Sequence, residues 1–482
     1  MASFKLIIKI AIATTLLVAC QKQEIKPSSD ITSDTSTNST PVNTSDEGFN
    51  VILARPTSTS ITASLLFNKN MDVYYEYGKT PGSYNLKTNM VAVSSEIPSL
   101  TDINNLEANT KYYYRIKYRP SGTTADFLAS SEHNFQTQRA VGSTFCFTVE
   151  ADEHLYDKKG VISIYQICLA NQALDQPDLM LTLGDTFGDD HYPTTITTDQ
   201  LKNLHAYYRP CLGQICHSVP FFFCIGNHEG ENSYYMAQTP PNNLAINASL
   251  WRKYYYPNPE PNGFYSGNTN NELYGIGNPE NYYAWTWGDA LFVVLDVYRY
   301  QSSTIDKPEG WDWTLGNEQY LWLKNTLEGS NAKYKFVFAH HIRGQGRGGI
   351  TNAKLFEWGG YEANGTNYTF AANRPGWAKP IHKLFTDNKV SIFFQGHDHV
   401  FAHEQIDGVT YQALPMPSDS TYQIGILANG TAYTSDVVGG TGHLKVTVSP
   451  TGVKVDFIQA YLPHDETATT KNRQVAFTYI VK

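Results

Sequence analysis

The sequence predicts an α/β fold preceded by a small all-β domain. Three observations carry that expectation. From about Ser143 onward, apolar strand-like runs alternate with longer polar or helical stretches, the rhythm of an α/β protein. Between about Gly48 and Gln138 the runs are short, rich in β-branched and aromatic residues, and separated by turn signals. In the α/β part, five strong apolar runs stop at Asp, Asn or His, the position at which such sheets bind ligands.

The N-terminus is a separate element. "MASFKLIIKIAIATTLLVAC" has two lysines, Lys5 and Lys9, then an apolar stretch ending in Leu17-Val18-Ala19-Cys20. That is the pattern of a secretory signal. The apolar part is too short and too early for a committed membrane span. LVAC resembles the lipobox of bacterial lipoproteins. The resemblance implies removal of residues 1–19, lipidation of Cys20 and anchoring in a bacterial cell envelope. Outer membrane, cell surface and periplasmic side all stay open. Residues 20–47 are rich in Ser, Thr, Asp and Asn. They bury too little apolar surface to fold and read as a disordered tether.

Residues 48–138 form the expected β-sandwich. "SITASLLF", "MDVYYEYG" and "TKYYYRIKYR" alternate inward and outward residues, and "KTPGS" marks a turn. "LEANTKYYYRIKY" resembles the end of a fibronectin type III domain. It is similar to the small sandwich that precedes the catalytic domain of purple acid phosphatases. No cluster of ionisable residues here suggests catalysis.

Residues 139–482 are the α/β region. "KKGVISIYQICLANQAL", "GNEQYLWLKNTLEGS" and "GWAKPIHKLFTDNK" read as helices. The chain of 482 residues, 41% hydrophobic, can bury a substantial core. Its net charge of −9, without a basic stripe, argues against a nucleic-acid partner. Beyond Cys20 the cysteines are Cys146, Cys168, Cys211, Cys216 and Cys224, an odd set without zinc-finger spacing. Cys211 and Cys216 are close enough for a loop disulfide in an oxidising compartment.

The strand ends share one chemistry. "TFCFTVEADEH" stops at Asp152 and His154, and "DLMLTLGD" at Asp185. "VPFFFCIGNHE" stops at Asn227, His228 and Glu229. "YKFVFAHH" stops at His340 and His341, and "VSIFFQGHDH" at His397 and His399. Any one of these could be a hydrogen-bonded strand end. Together, carboxylate, amide oxygen and imidazole suit zinc, iron or manganese without a thiolate.

The order DxH, GD, GNH(E/D), H and GHxH resembles the motif series of the calcineurin-like metallophosphoesterases, which include purple acid phosphatases. The resemblance covers about residues 145–403. It implies a four-layer sandwich, two mixed β-sheets flanked by helices, with two metal ions at the strand ends. By motif position the first metal falls to Asp152, His154 and His399. Asp185 bridges, and the second metal falls to Asn227, His340 and His397. His228 matches the family's non-ligand histidine, which contacts the substrate phosphate or protonates the leaving group. Two metals roughly 3.5–4 Å apart clamp attacking and leaving oxygens and lower the pKa of a bound water.

Some positions depart from the family. Purple acid phosphatases carry an Fe(III)-binding tyrosine three residues after the bridging aspartate, where this chain has Gly188. The resemblance therefore does not extend to the purple chromophore or to an obligatory Fe(III). His-x-Pro becomes His340-His341-Ile342, which leaves His341 as a rival to His340. Asp189, Asp190 and His191 are either groups supporting the metals or solvated loop residues. Arg343 and Arg347 lie in "HHIRGQGRGGITN", and guanidinium forks recognise phosphate. A mobile charged loop is the plainer reading. "YYYPNPEPNGFYSGNTNNELYG" is a long aromatic segment expected to wall the pocket. "NYYAWTWGDALFVVLDVY" resembles a paired-strand core segment of the family, and "GHLKVTVSPTGVKVDFIQAYLP" a closing hairpin.

The expected protein is a secreted, lipid-anchored phosphomonoesterase. It resembles an acid phosphatase acting on small phosphate esters, with a dinuclear centre of Fe, Zn or Mn and a metal-bound hydroxide. A phosphodiesterase or nucleotidase of the same fold is the alternative. A surface-displayed binding lipoprotein with an inactive metal domain is the reading from a different class.

Overall fold

A computed structural model describes residues 48–156, 160–301, 308–342, 346–424 and 432–482. The signal, Cys20, the tether and Arg343 therefore lie outside the described residues. The N-terminal strands are β1 (Phe49–Ala54), β2 (Ile61–Phe67), β3 (Met71–Gly78), β4 (Leu86–Lys87), β5 (Val91–Val93), β6 (Ser99–Ile103), β7 (Lys111–Pro120), β8 (Leu128–Ala129) and β9 (His133–Gln136). One sheet runs β1-β2-β6 and the other β4-β3-β7-β8, with β5 on β3 and β9 on β7. In β7 the period of two is plain. Tyr112, Tyr114, Ile116 and Tyr118 point inward onto Tyr75, Tyr77 and Phe135, while the intervening Lys and Arg residues face out.

The α/β region contains two mixed sheets. The first is built on β10 (Phe145–Glu150), β11 (Leu179–Thr182) and β12 (Phe221–Phe223). The second uses β13 (Ser266–Gly267), β14 (Tyr283–Trp287), β15 (Ala290–Val294), β16 (Tyr334–Phe338), β17 (Ile392–Gln395), β18 (Phe401–Ile406), β19 (Val409–Ala413) and β20 (Asp436–Val438). The chain then returns to the first sheet as β21 (Gly442–Ser449), β22 (Gly452–Gln459) and β23 (Val475–Val481). Among the described residues the orders are β12-β11-β10-β21-β22-β23 and β13-β14-β15-β16-β17-β19-β18-β20. Strands β10, β11 and β12 are mutually parallel, as are β15, β16, β17 and β19.

The inner faces of these sheets meet. Phe147, Val149, Leu181 and Phe222 of the first pack with Phe292, Phe336, Phe338 and Phe394 of the second. The outer face of the first sheet is covered by α1 (Ile162–Leu174) and α2 (Thr198–Cys216), through Tyr165, Leu169, Tyr208 and Leu212. Helices Gly316–Glu328 and Ile381–Asp387 cover the second sheet, through Leu323 and Leu384. The result is helix, sheet, sheet, helix. Among the described residues no helix is long and apolar enough to cross a membrane.

One expectation requires correction. Cys211 and Cys216 sit on α2 rather than in a loop, and both are buried free thiols. Five helical residues rise about 7.5 Å, more than the Cα separation a disulfide spans. The helix starts at a capping box in which the Thr197 side chain accepts from Gln200 N and Gln200 Oε1 accepts from Thr197 N. The long aromatic segment has a further role in its first half. Tyr265 is buried in the core and donates to Pro56 O, while Asn258 O accepts from Arg55 Nε at 2.6 Å. That part therefore also packs on the N-terminal sandwich.

Arg209 of α2 makes a polar contact with the sandwich. It is fully buried and donates to Asn50 Oδ1 at 2.8 Å, Ser64 Oγ and Ser64 O at 2.9 Å, and Tyr255 O at 2.6 Å.

Candidate metal centre

The parallel strands of both sheets aim their C-terminal ends at one place. Asp152 and His154 follow β10, Asp185 follows β11, and Asn227 and His228 follow β12. His340 follows β16, and His397 and His399 follow β17. The loops there are unusual. Asp152, His154, Asp185, His397 and His399 all have positive φ, at 64°, 44°, 60°, 69° and 55°. Such values are rare for residues with a Cβ and cluster at functional sites. Close approach is also required: a Cβ at Gly226 would lie 2.4 Å from Asp185 Oδ1.

Two overlapping groups result. In the first, His154 Nε2 faces His399 Nε2 at 2.9 Å, and Asp152 Oδ1 lies 3.4 Å from His399 Nε2. In the second, His340 Nε2 lies 3.1 Å from Asp185 Oδ2 and 3.9 Å from Asp152 Oδ1. Asp185 Oδ2 is also 3.9 Å from His154 Nε2, so this carboxylate touches both groups. The ring of His397 lies 5.3 Å from that of His340. Asn227 Oδ1 is buried and has no hydrogen-bond partner among the described residues.

These donors fit metal ions. Two imidazole nitrogens directed at one another need a shared cation or proton between them. A buried amide oxygen without a donor is costly unless something else satisfies it. Burial pushes the Asp185 carboxyl up, yet His340, His228 and His154 hold it well below the usual carboxylate range. Burial, then the facing His399, keeps His154 well below the ordinary imidazole value. Burial opposes protonation of His340 too, but Asp185 outweighs it and raises the ring to about 9. A cation would satisfy the same carboxylate charge.

Surrounding groups fix the ring orientations. His340 Nδ1 donates to Leu183 O at 2.7 Å. His397 Nδ1 lies 3.1 Å from Asp398 Oδ1. Asp398 also accepts from Gly348 N and the Tyr433 hydroxyl, each at 2.7 Å, and from Arg347 at 3.3 Å. His341 points to this side, with Nε2 3.9 Å from Asp398 Oδ1, so it is His340 that meets Asp185. Glu229 ties two loops together, accepting from Gly226 N, Asp185 N, Thr186 N and Phe187 N. No local sequence signal marks Asp398 or Glu229 for these roles.

His228 lies at the opening, its side chain 31% exposed. Its Nδ1 is 2.8 Å from Asp190 Oδ1 and its Nε2 3.8 Å from Asp185 Oδ2. Burial lowers this imidazole, but Asp185 and Asp190 prevail and raise it to about 10. Asp189 points elsewhere, buried 3.5 Å from His205 Nε2, and His191 is exposed. Arg347 donates to His397 O at 3.3 Å as well as to Asp398.

A four-layer sandwich that gathers carboxylate, amide and imidazole ligands at its strand ends belongs with the metal-dependent hydrolases. The calcineurin-like phosphoesterase family matches residues 150–401, just over half of the chain, and the protein belongs to that family. It is therefore a phosphoric ester hydrolase. A purple acid phosphatase from yellow lupin (Lupinus luteus) seeds superposes with a TM-score of 0.57 and 15% identity, over 89% of this chain and 73% of that one. PhoD superposes with a TM-score of 0.60 and 17% identity, over 89% of both chains. At these identities the likeness is one of fold. No curated protein matches the sequence.

Proposed function

We propose that the protein is a phosphomonoesterase with two metal ions, drawn from Fe, Zn and Mn, held side by side. The observation that carries this reading is the shared carboxylate: Asp185 Oδ2 stands within 3.9 Å of His154 Nε2 and 3.1 Å of His340 Nε2. Asp152, His154 and His399 would hold one ion and Asn227, His340 and His397 the other, with Asp185 within reach of both. When bound, the ions supply positive charge for the phosphoryl oxygens and activate water. Asp190 orients His228 through Nδ1, which leaves Nε2 to deliver a proton to the leaving oxygen. Arg347, tethered beside His397, is the described guanidinium that would meet substrate phosphate. Arg343 is the other, outside the described residues. The signal and LVAC motif support secretion and lipid anchoring at Cys20. The complete donor set speaks against an inert binding lipoprotein.

The test is direct. The chain lacking residues 1–20 is purified, its metals are quantified, and aryl phosphate monoesters and diesters are compared as substrates. Two metals per chain with faster monoester turnover is the expected result. Faster diester turnover replaces the monoesterase reading, and a metal-free, inactive protein overturns the whole. Asn227→Ala should lower metal occupancy. His228→Ala should keep occupancy and lower turnover by about 10²-fold or more.

A further inference from the structure

Tyr156 follows the DxH motif by two residues, in a turn that leaves β10. Its hydroxyl lies 2.5 Å from His154 Nδ1. Its ring occupies the space above Gly188. A Cβ there would meet Tyr156 Cε2 and Cζ at 2.3 Å, and Gly188 has a φ of 65°. The same ring faces His191 at 5.4 Å and His228 at 6.2 Å. One phenol therefore touches both the His154 imidazole and the histidines at the opening.

We propose that Tyr156 is a positioning residue for the metal centre, fixing the His154 ring through Nδ1 while Gly188 provides the seat for its phenol. This rests on the reading of Asp152, His154 and His399 as one metal-holding group. If Nε2 of His154 serves an ion, the ring proton sits on Nδ1 and donates to the Tyr156 hydroxyl oxygen. His340 and His397 have comparable supports in Leu183 O and Asp398. Among the described residues His399 Nδ1 is buried without a hydrogen-bond partner, so the first group relies on His154 for its oriented imidazole. Tyr156 acts through His154, because its hydroxyl meets the ring nitrogen that points away from His399. That bond holds the imidazole about χ2, so less of the binding free energy goes into ordering it.

Tyr156→Phe isolates the hydroxyl, since the ring still fills the seat on Gly188. Metal-stripped wild type and variant are titrated with Zn²⁺ by calorimetry, with thermal melting of both metal-free proteins alongside. The expected result is a 10- to 100-fold weaker affinity at one of two sites, with matching metal-free melting temperatures. Gly188→Ala should weaken the same site by expelling the phenol. Equal Zn²⁺ affinity in wild type and Tyr156→Phe overturns the proposal while leaving the metal centre intact. Weakened affinity with an equally lowered metal-free melting temperature also overturns it, by making the hydroxyl a general stabiliser. A wild type that binds no metal overturns both this inference and the reading beneath it.

Discussion

Asp190 Oδ1 and His228 Nδ1 lie 2.8 Å apart, and the opposite ring nitrogen of His228 faces the metal centre. The pair forms an aligned dyad in which the carboxylate fixes the proton-bearing face of the imidazole. Asp190→Asn should lower kcat by about 10- to 100-fold with metal content unchanged. The loss should grow as the leaving group becomes more basic, because an alkoxide needs the proton more than a nitrophenolate does. A uniform loss across a series of leaving groups would remove the dyad from the proton transfer.

Asp398 collects His397 Nδ1, Gly348 N, the Tyr433 hydroxyl and Arg347 around one buried carboxylate. Asp398→Ala leaves several of these donors buried without an acceptor, each costing about 1–3 kcal/mol. It should weaken metal binding 10- to 100-fold and lower the melting temperature of the metal-free protein. Calorimetric titration and thermal melting check the two effects separately. An unchanged metal affinity would mean that His397 is oriented without it.

Arg209 joins α2 to β1, β2 and Tyr255 through four donated hydrogen bonds in a fully buried setting. Arg209→Leu retains much of the volume and strands those acceptors. A destabilisation on the order of 3 kcal/mol is expected from urea denaturation, with the N-terminal sandwich the first part to become protease-sensitive. Cleavage beginning elsewhere would show that another contact secures the junction.

The stability should depend on pH through His133 and His217, whose rings stand 4.2 Å apart where β9 meets the end of α2. Burial, then the facing His217, pushes His133 down to about 3, and burial lowers His217 as well. The unfolded chain titrates these groups near pH about 6.5. Below that pH the unfolded state binds more protons, so the stabilisation is complete above about 6.5 and is lost as pH falls toward about 3. His133→Phe keeps an aromatic ring and removes one titration. Its melting temperature should fall less than that of wild type on acidification, and parallel slopes would refute the assignment.

What is legible in the sequence depends on what a residue does. Asp152, His154, Asp185, Asn227, His340, His397 and His399 follow apolar runs, so their type and position mark the shared strand-end cluster directly. The packed phenylalanines of β10, β16 and β17 are legible for the same reason. Residues that hold other residues leave no such mark. Asp398 finds Gly348 fifty positions away, and Glu229 gathers amides from a loop more than forty positions back. Only tertiary structure creates those acceptor roles. Tyr156 looks like any aromatic until Gly188 is seen beneath it. The helix carrying Cys211 and Cys216 was within reach: Thr197-x-x-Gln200 is a helix-start signal, yet Pro210 and the close cysteines suggest a loop. The aromatic segment around Tyr265 resembles a surface wall because its Pro and Gly residues conceal that its tyrosine goes inward.

The left-handed backbone at Asp152, His154, Asp185, His397 and His399 is a conformational cost carried by the bare chain. Each such conformation costs a residue with a Cβ on the order of 1 kcal/mol or more. Glycine at any of the five positions would release that strain and delete a buried ionisable group in one step. The same step would strand the backbone amides of His397 and His228, which donate to Asp152 and Asp185, so relieved backbone strain is set against lost buried hydrogen bonds.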